Sequence, residues 1–201
     1  MAIGVLGGVF DPPHLGHTAL ARAALEQLDL ERLLVLVIAD PGHKRATTPA
    51  ETRLELARLA FAFDPRIEVQ LDPHARTVDS LETLGLDDPV FVVGADEFVD
   101  FATWKRPDRV LELARLAVAM RPGVPDARVH EARARLPAPD RVSFFEFPPV
   151  SVSSTLVRER SVRGEAIDEL VPPPVADAVA RLGLYGVPEY TERRGERTQT
   201  D

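Results

Sequence analysis

Short apolar runs alternate along this chain with segments in which apolar residues recur every three or four positions. The runs are rich in Val, Ile and Leu, as in residues 33–39 (LLVLVIA), and are typical of strands covered on both faces. The spaced segments are typical of amphipathic helices. Strands are predicted at residues 3–6, 33–39, 67–71, 89–93, 117–120 and 142–147. Helices are predicted at residues 18–28, 49–63, 78–84, 107–116, 126–136, 153–160 and 175–182.

This alternation predicts an α/β fold, a Rossmann-like doubly wound parallel sheet with helices on both faces. In such a sheet the ligand binds beyond the carboxyl ends of the strands, where the strand order reverses. We therefore expect the loops after the first, second and fourth strands to converge, at residues 7–17, 40–44 and 94–96. Many chemistries share this fold, so the function has to be inferred from these loops.

Length and composition indicate one cytoplasmic domain. The 201 residues are enough for a single core, expected over residues 1–187, with a polar tail at 188–201 that we expect to be disordered. No apolar run approaches the roughly 20 residues that span a bilayer, and no secretory leader is visible, so no membrane association is expected. The absence of cysteine excludes disulfides and thiolate catalysis. The oligomeric state is left open.

The overall charge separates two kinds of partner. A formal net charge of −8 argues against a nucleic-acid binder, because such surfaces are usually basic. It does not argue against a nucleotide, because a triphosphate needs only a few local cations and backbone N–H groups.

The loop after the first strand reads GGVFDPPHLGH over residues 7–17. Gly7 and Gly8 allow a sharp bend and the close approach of a phosphate. The following helix should add free N–H groups and its positive dipole end. The spacing is neither the G-x-G-x-x-G of dinucleotide-dependent oxidoreductases nor the G-x-x-x-x-G-K-[ST] of P-loop enzymes.

Two histidines stand at the start of that helix. His14 and His17 are three residues apart, so both rings can lie on one side. Gly16 between them should keep a side chain away from the ligand. Imidazole donors suit phosphoryl transfer, in which positioning and charge stabilisation do most of the catalysis. An isolated H-x-x-H would favour a helix cap, a core contact or a metal site; the glycines and the turn at Phe10 favour phosphate chemistry.

A second anion-binding element is predicted near the end of the chain, where residues 153–158 read SSTLVR after a Pro-Pro break. Hydroxyl groups at a helix start either cap the helix or turn toward an anion. Arg158, one turn further on, can pair with phosphate oxygens. Taken without the first loop, a serine cap with a solvated arginine would be the better interpretation.

Together, the two elements resemble those of the nucleotidylyltransferase superfamily, G-G-x-F-D-P-x-H-x-G-H and I-S-S-T-x-I-R, in the same order. The resemblance implies transfer of a nucleotidyl group from a triphosphate, with Mg²⁺ assisting and without a covalent enzyme intermediate. Catalysis is then expected from His14, His17 and Arg158. Contacts to ATP are expected from Gly7, Gly8, Phe10, Gly16, Ser153, Ser154, Thr155, Gly94 and Asp96.

Three further segments are similar to those of bacterial nicotinate-nucleotide adenylyltransferases, which make the dinucleotide precursor of NAD. These are DPGHK at 40–44, RTVDSL at 76–81, and GAD at 94–96 followed by WKR at 104–106. The resemblance implies that ATP and nicotinate mononucleotide are the substrates. An indole face can stack on a pyridine ring, particularly a cationic one. The residues implied for the acceptor are His43, Lys44, Thr77, Trp104 and Lys105.

Each of these segments also has a plainer interpretation, and the chain departs from the family at some positions. In that interpretation Trp104 only covers a hydrophobic edge, and Asp79 only caps its helix. Val9 stands for a usual Thr, Gly42 for a Pro, and Ala75-Arg76 for Ser-Tyr beside the expected carboxylate-binding turn. Another acceptor, such as nicotinamide mononucleotide or pantetheine phosphate, therefore stays open, as does a nucleotide-binding module without turnover.

Overall fold

The structure, a computed structural model, describes residues 2–42, 46–120 and 125–186. The strands are β1 Ala2–Gly8, β2 Leu30–Ile38, β3 Ile67–Asp72, β4 Val90–Gly94, β5 Arg115–Met120 and β6 Val142–Glu146. The α-helices are α1 Leu15–Gln27, α2 Ala50–Phe61, α3 Thr77–Leu84, α4 Ala95–Val99, α5 Pro107–Leu113, α6 Asp126–Ala134, α7 Ser154–Val162 and α8 Pro173–Arg181. Short 3-10 turns occur at Phe101–Thr103, Pro139–Arg141 and Leu184–Gly186.

The six strands form one parallel sheet in the order β3-β2-β1-β4-β5-β6. The order reverses between β1 and β4, which is the switch point of a doubly wound sheet. The predicted fold class is therefore confirmed, and the loops after β1 and β4 are neighbours at the edge where a ligand is expected. Within the described ranges, no helix is long and apolar enough to cross a membrane.

Two hydrophobic cores cover the two faces of the sheet, and β2 shows how one strand serves both. Leu33, Val35 and Val37 pack in the core shared with α1, α2 and α8. Leu34 and Leu36 pack in the core on the opposite face, which is shared with α3 and α5. Successive side chains of a strand point to opposite faces, so a continuous apolar run is what this position requires.

Among the differences from the sequence-based prediction, two element boundaries and one short helix bear on the site. α1 begins at Leu15 rather than at residue 18, so His14 is its N-cap residue and His17 lies in its first turn. The helix predicted at 107–116 ends at Leu113, and β5 already begins at Arg115, because the apolar residues that follow pair with β4 and β6. α4 was not predicted, since five residues are too few to show a helical period.

Candidate active site

The loop after β1 places the two histidines side by side at the switch point. Their rings stack with centroids 3.6 Å apart and an angle of 21° between the planes. The backbone N–H of His14 donates to Nδ1 of His17 at 3.2 Å. In a neutral imidazole the proton of His17 must then be on Nε2, which becomes the ring's donor. The predicted pairing of His14 and His17 on one side of the helix start is what the structure shows.

Both rings are held in the neutral form. Burial lowers the pKa of His14 to about 4, and only 8% of the residue is exposed. Burial and then the neighbouring His14 lower the pKa of His17 well below its ordinary value, although part of the residue reaches solvent. Two imidazolium ions at this separation would repel each other, so near pH 7 the pair offers hydrogen-bond donors without a fixed charge.

Phe10 is a core residue whose ring packs against His17. Its ring is 2% exposed and packs edge-on to His17, with centroids 4.9 Å apart, and to Phe61 at 5.5 Å. Its φ of 51° lies in the left-handed region, which a bulky residue seldom adopts and which surrounding contacts have to stabilise. The side chain thus belongs to the core, and only its backbone is left for the ATP contact that was predicted.

Two glycines of the loop are required by these rings. A Cβ at Gly8 would lie 2.7 Å from the Phe10 ring. A Cβ at Gly16 would lie 3.0 Å from Cε1 and Nδ1 of His14 and 3.3 Å from Cγ1 of Val152. The sequence predicted that Gly16 keeps space for a ligand. In the structure it makes room for the His14 ring itself.

The backbone donors of the α1 start are used within the protein more than was predicted. The N–H of Leu15 donates to the carbonyl of Leu170 at 2.9 Å, and the N–H of His17 donates to the carbonyl of His14 at 2.9 Å. The reason is tertiary: the segment before α8 runs across the first turn of α1. Two of the backbone donors at this helix start are therefore already used, which leaves a larger share of the phosphate contacts to the imidazoles and to α7.

The second element contacts the first loop directly. Arg158 donates to the carbonyl oxygen of Asp11 at 2.7 Å, and Ser154 Oγ donates to the carbonyl of Pro12 at 2.8 Å. A second guanidinium nitrogen of Arg158 lies 3.2 Å from Thr155 Oγ1. Ser153 is the N-cap of α7 and accepts from the N–H of Leu156 at 3.1 Å. These side chains thus hold the two elements together.

The backbone at the start of α7 keeps its anion-binding capacity. No acceptor for the N–H groups of Ser154 and Thr155 lies among the described residues. Both groups point along the helix toward its N-terminus, where a negative charge is stabilised. Phosphate contacts of this element are therefore available from the backbone. The Ser154 hydroxyl already donates to Pro12, whereas the Ser153 hydroxyl accepts from Leu156 and keeps its O–H as a donor.

Arg53 was missed by the sequence analysis. It lies on α2, is 1% exposed, and donates to carbonyls of Val9 at 2.7 Å, Ile38 at 2.8 Å, Ala39 at 2.8 Å and Thr48 at 3.0 Å. Burial lowers its pKa, and the nearby Asp11 carboxylate counteracts this shift. One buried guanidinium thus joins the loop after β1, the end of β2 and the segment before α2. Its position in an ordinary amphipathic helix gave no sequence signal.

The described residues that are expected to bind the acceptor lie at the start of α3 and in residues 104–105. Thr77 is the first residue of α3, and Asp79 lies in the first turn of that helix. Both carboxylate oxygens of Asp79 accept from Lys105 Nζ at 2.8 Å. The hydrogen bond from Lys105 is the main reason why the pKa of Asp79 is lowered. The structure therefore joins the two segments that the sequence proposed for the acceptor. The Asp79 carboxylate pairs with Lys105 and Arg106 and makes no helix-cap hydrogen bond among the described residues.

Trp104 lies between these segments and the core. Its ring packs against Phe101, with centroids 5.2 Å apart, and edge-on to Phe91 at 6.1 Å, while part of the residue stays exposed. The hydrophobic-edge contact is therefore present, and the residue is not fully covered by it. Gly7, at the end of β1, is exposed. A Cβ there would lie 3.9 Å from the Phe91 ring, which is an ordinary contact distance.

The loop after β4 completes the arrangement. Gly94 is the N-cap of α4, and a Cβ there would lie 2.6 Å from Glu97 Oε2 and 3.1 Å from Asp96 Oδ1. Asp96, in the first turn of α4, is partly exposed at the switch point. His43 and Lys44 lie outside the described residues. No group of three or more His, Asp or Glu side chains in the described ranges could hold a metal ion.

Comparison with known proteins agrees with this geometry. Residues 5–160 match the family model described as cytidylyltransferase-like. A Thermus thermophilus protein named "Probable nicotinate-nucleotide adenylyltransferase" is 39% identical over 194 residues, covering 92% of this chain and 100% of the relative. A Rubrobacter xylanophilus protein of the same name is 36% identical over 208 residues, covering 98% and 97%.

Solved structures share the fold. Nicotinic acid mononucleotide adenylyltransferase of Plasmodium falciparum, complexed with APC in one structure and with NaAD in another, superposes with a TM-score of 0.73. It is 16–17% identical and covers 92% of this chain and 98% of its own. At this identity the likeness shows the fold, and the membership of a family rests on the sequence matches.

Proposed function

The chain belongs to the cytidylyltransferase-like family and, within it, to the nicotinate-nucleotide adenylyltransferases, and we propose that its His14–His17 site transfers AMP from ATP to nicotinate mononucleotide. The products would be nicotinate adenine dinucleotide and pyrophosphate. The observation that carries the proposal is the stacked, neutral imidazole pair at the switch point.

The reaction balances without a covalent enzyme intermediate. A phosphate oxygen of nicotinate mononucleotide attacks the α-phosphorus of ATP in line. The new P–O bond forms as the bond from the α-phosphorus to the oxygen bridging the β-phosphorus breaks, and pyrophosphate leaves. The attacking phosphate is already ionised at neutral pH, so no general base is needed.

The residues supply donors where negative charge accumulates. His14 and His17 would donate N–H groups to the non-bridging oxygens of the α-phosphate, whose charge grows in the transition state. The backbone of Ser154 and Thr155 and the guanidinium of Arg158 would hold the leaving pyrophosphate. Gly7 would allow the triphosphate close to β1, and Asp96 would accept hydrogen bonds from a ribose, by analogy with other nucleotide sites.

Mg²⁺ enters this proposal with the substrate. In ranges 2–42, 46–120 and 125–186 no cluster of three His, Asp or Glu residues is placed to ligate it. Mg²⁺ commonly keeps several waters and binds through substrate phosphates, and that chemistry suits a Mg²⁺–ATP complex here. The ion would neutralise the triphosphate during transfer.

The acceptor would occupy the edge formed by the start of α3 and the segment around Trp104. The backbone N–H of Thr77, in the first turn of α3, would receive the nicotinate carboxylate. Trp104, which is partly exposed, would stack its ring on the pyridine. His43, Lys44 and Lys105 are proposed to attract the acceptor phosphate.

The proposal is tested by pyrophosphate release from Mg²⁺–ATP with nicotinate mononucleotide, nicotinamide mononucleotide and pantetheine phosphate in parallel, using wild type and His17→Ala. Release with the nicotinate substrate that is lost in the variant would support both reaction and site. Release only with another acceptor would support the proposed phosphate chemistry and reject nicotinate mononucleotide as the acceptor. Stoichiometric ATP binding without release from any acceptor would reject turnover and favour a nucleotide-binding module.

A further inference from the structure

The Asp11 carboxylate joins three segments that are far apart in the sequence. Its Oδ2 accepts from the N–H of Thr47 at 2.6 Å and from Thr47 Oγ1 at 2.8 Å. Its Oδ1 accepts from the hydroxyl of Tyr185 at 2.7 Å. Asp11 is 3% exposed, so these donors replace the water that a carboxylate requires.

From this junction we propose that Tyr185 is a positioning residue for adenylyl transfer, acting through Asp11 on the loop that holds His14 and His17. The inference rests on the proposed function. It assigns a role to the Leu184–Gly186 turn, which lies outside both phosphate elements in the sequence.

The position of Asp11 makes the link short. It lies directly after Phe10, whose ring packs against His17, and three residues before His14. Its main-chain carbonyl accepts from Arg158. The side chain of Asp11 therefore ties this backbone to residues 46–48 and to the C-terminal turn, while its carbonyl ties it to α7. A small shift at Asp11 would move both imidazoles.

The charges around the junction favour an ionised Asp11. Burial alone would raise its pKa, but hydrogen bonds from Thr48, Tyr185 and Thr47 outweigh burial and lower it. The cations facing it are Arg53 of α2 and Arg158 of α7. Burial raises the pKa of the Tyr185 hydroxyl far above its ordinary value, so this group stays a donor.

The backbone of Tyr185 shows that its placement is constrained. Its φ of 58° is left-handed, which costs free energy in a tyrosine and has to be offset by its contacts. The ring packs against the core shared with α1 and α8, and the turn packs along α7. Tyr185 is thus held against α7 with its hydroxyl on Asp11.

The test compares Tyr185→Phe with wild type in steady-state pyrophosphate release from Mg²⁺–ATP and nicotinate mononucleotide, at a temperature where circular dichroism shows both folded. Removing only the hydroxyl should lower kcat roughly tenfold or more, because misplaced reacting groups lose rate, with smaller changes in KM for either substrate. Ser143→Ala, which deletes a hydroxyl bonded to the Leu116 carbonyl on β5, is the matched control.

The Thr47→Val variant tests whether Tyr185 acts through its shared junction at Asp11 or only through the overall stability of the protein. It deletes another donor to Asp11, so its kcat loss and that of Tyr185→Phe should be less than multiplicative in the double variant. The inference is overturned if Tyr185→Phe lowers only the melting temperature, if Ser143→Ala loses as much kcat, or if the two losses multiply. An inactive wild type would instead count against the proposed function.

Discussion

Two parts of the site are held in place by different kinds of interaction. The phosphate side, comprising residues 9–17 and the start of α7, is fixed by partly buried hydrogen bonds. Arg53 donates to the Val9 carbonyl, Tyr185 to the Asp11 carboxylate, and Arg158 to the Asp11 carbonyl. The proposed acceptor side, comprising the start of α3 and residues 104–106, is joined by ion pairs at the surface. In the Lys105–Asp79 pair the side chains are 49% and 28% exposed.

The difference matches what each side has to do. Largely buried, hydrogen-bonded polar groups permit few alternative arrangements, which suits a transition state that needs its donors in one geometry. Exposed ion pairs contribute little to stability, are weakened by salt and rearrange easily. We infer that the phosphate side is the rigid part of the site and that acceptor choice can change through the surface pairs without disturbing the chemistry.

The largest effect is expected at the imidazole pair. His14→Ala removes a donor to the transition state and should lower kcat by about 10²–10³-fold, the usual loss for an oxyanion-type donor. The measurement is steady-state pyrophosphate release. His130→Ala, an exposed histidine of α6, is the control and should retain wild-type kcat. Equal losses in both variants would contradict the assignment.

Arg53→Met should be the most destabilising change on the phosphate side. It leaves four carbonyl acceptors without their donor, and unsatisfied buried acceptors cost about 1–3 kcal/mol each where they cannot reach water. We expect a loss of about 3 kcal/mol or more in urea denaturation. Arg58→Met, on the exposed side of the same helix, should change stability by no more than about 0.5 kcal/mol.

Acid should destabilise the phosphate side through His14. Its pKa is about 4 in the folded protein against an ordinary 6.5, so the unfolded chain binds the proton first. Stability should therefore fall as the pH falls from about 6.5 to about 4, by up to about 3 kcal/mol from this group. In His14→Gln the slope of unfolding free energy against pH should be shallower over that window. An unchanged slope would contradict the buried neutral imidazole.

The smallest effect is expected on the acceptor side. Lys105→Gln breaks the surface pair with Asp79 and should raise KM for nicotinate mononucleotide several-fold, while KM for ATP and the melting temperature stay close to wild type. Steady-state kinetics with each substrate varied in turn would measure this. Arg181→Gln, which breaks an exposed pair with Glu55 between α8 and α2, should leave both KM values unchanged. A matching rise in KM for ATP would contradict the separation of the two sides.

Much of this molecule was predictable because its signals are local. Apolar runs predicted the six strands, and the alternation with helices predicted a parallel sheet in which the loops after β1 and β4 meet. The glycines and histidines of residues 7–17 predicted the phosphate chemistry, since a bend and a helix start are properties of neighbouring residues. The family follows from the same motifs.

The contacts that hold the site in place, by contrast, depend on the tertiary structure. Arg53 looks like any surface arginine of an amphipathic helix until β2 and the first loop bring their carbonyls to it. Tyr185 lies 174 residues from Asp11, and no local pattern connects them. Gly16 is predicted to leave room for a ligand, and only the structure shows that it also accommodates the His14 ring. A sequence determines which groups can bond, and burial in the folded chain decides which of them must.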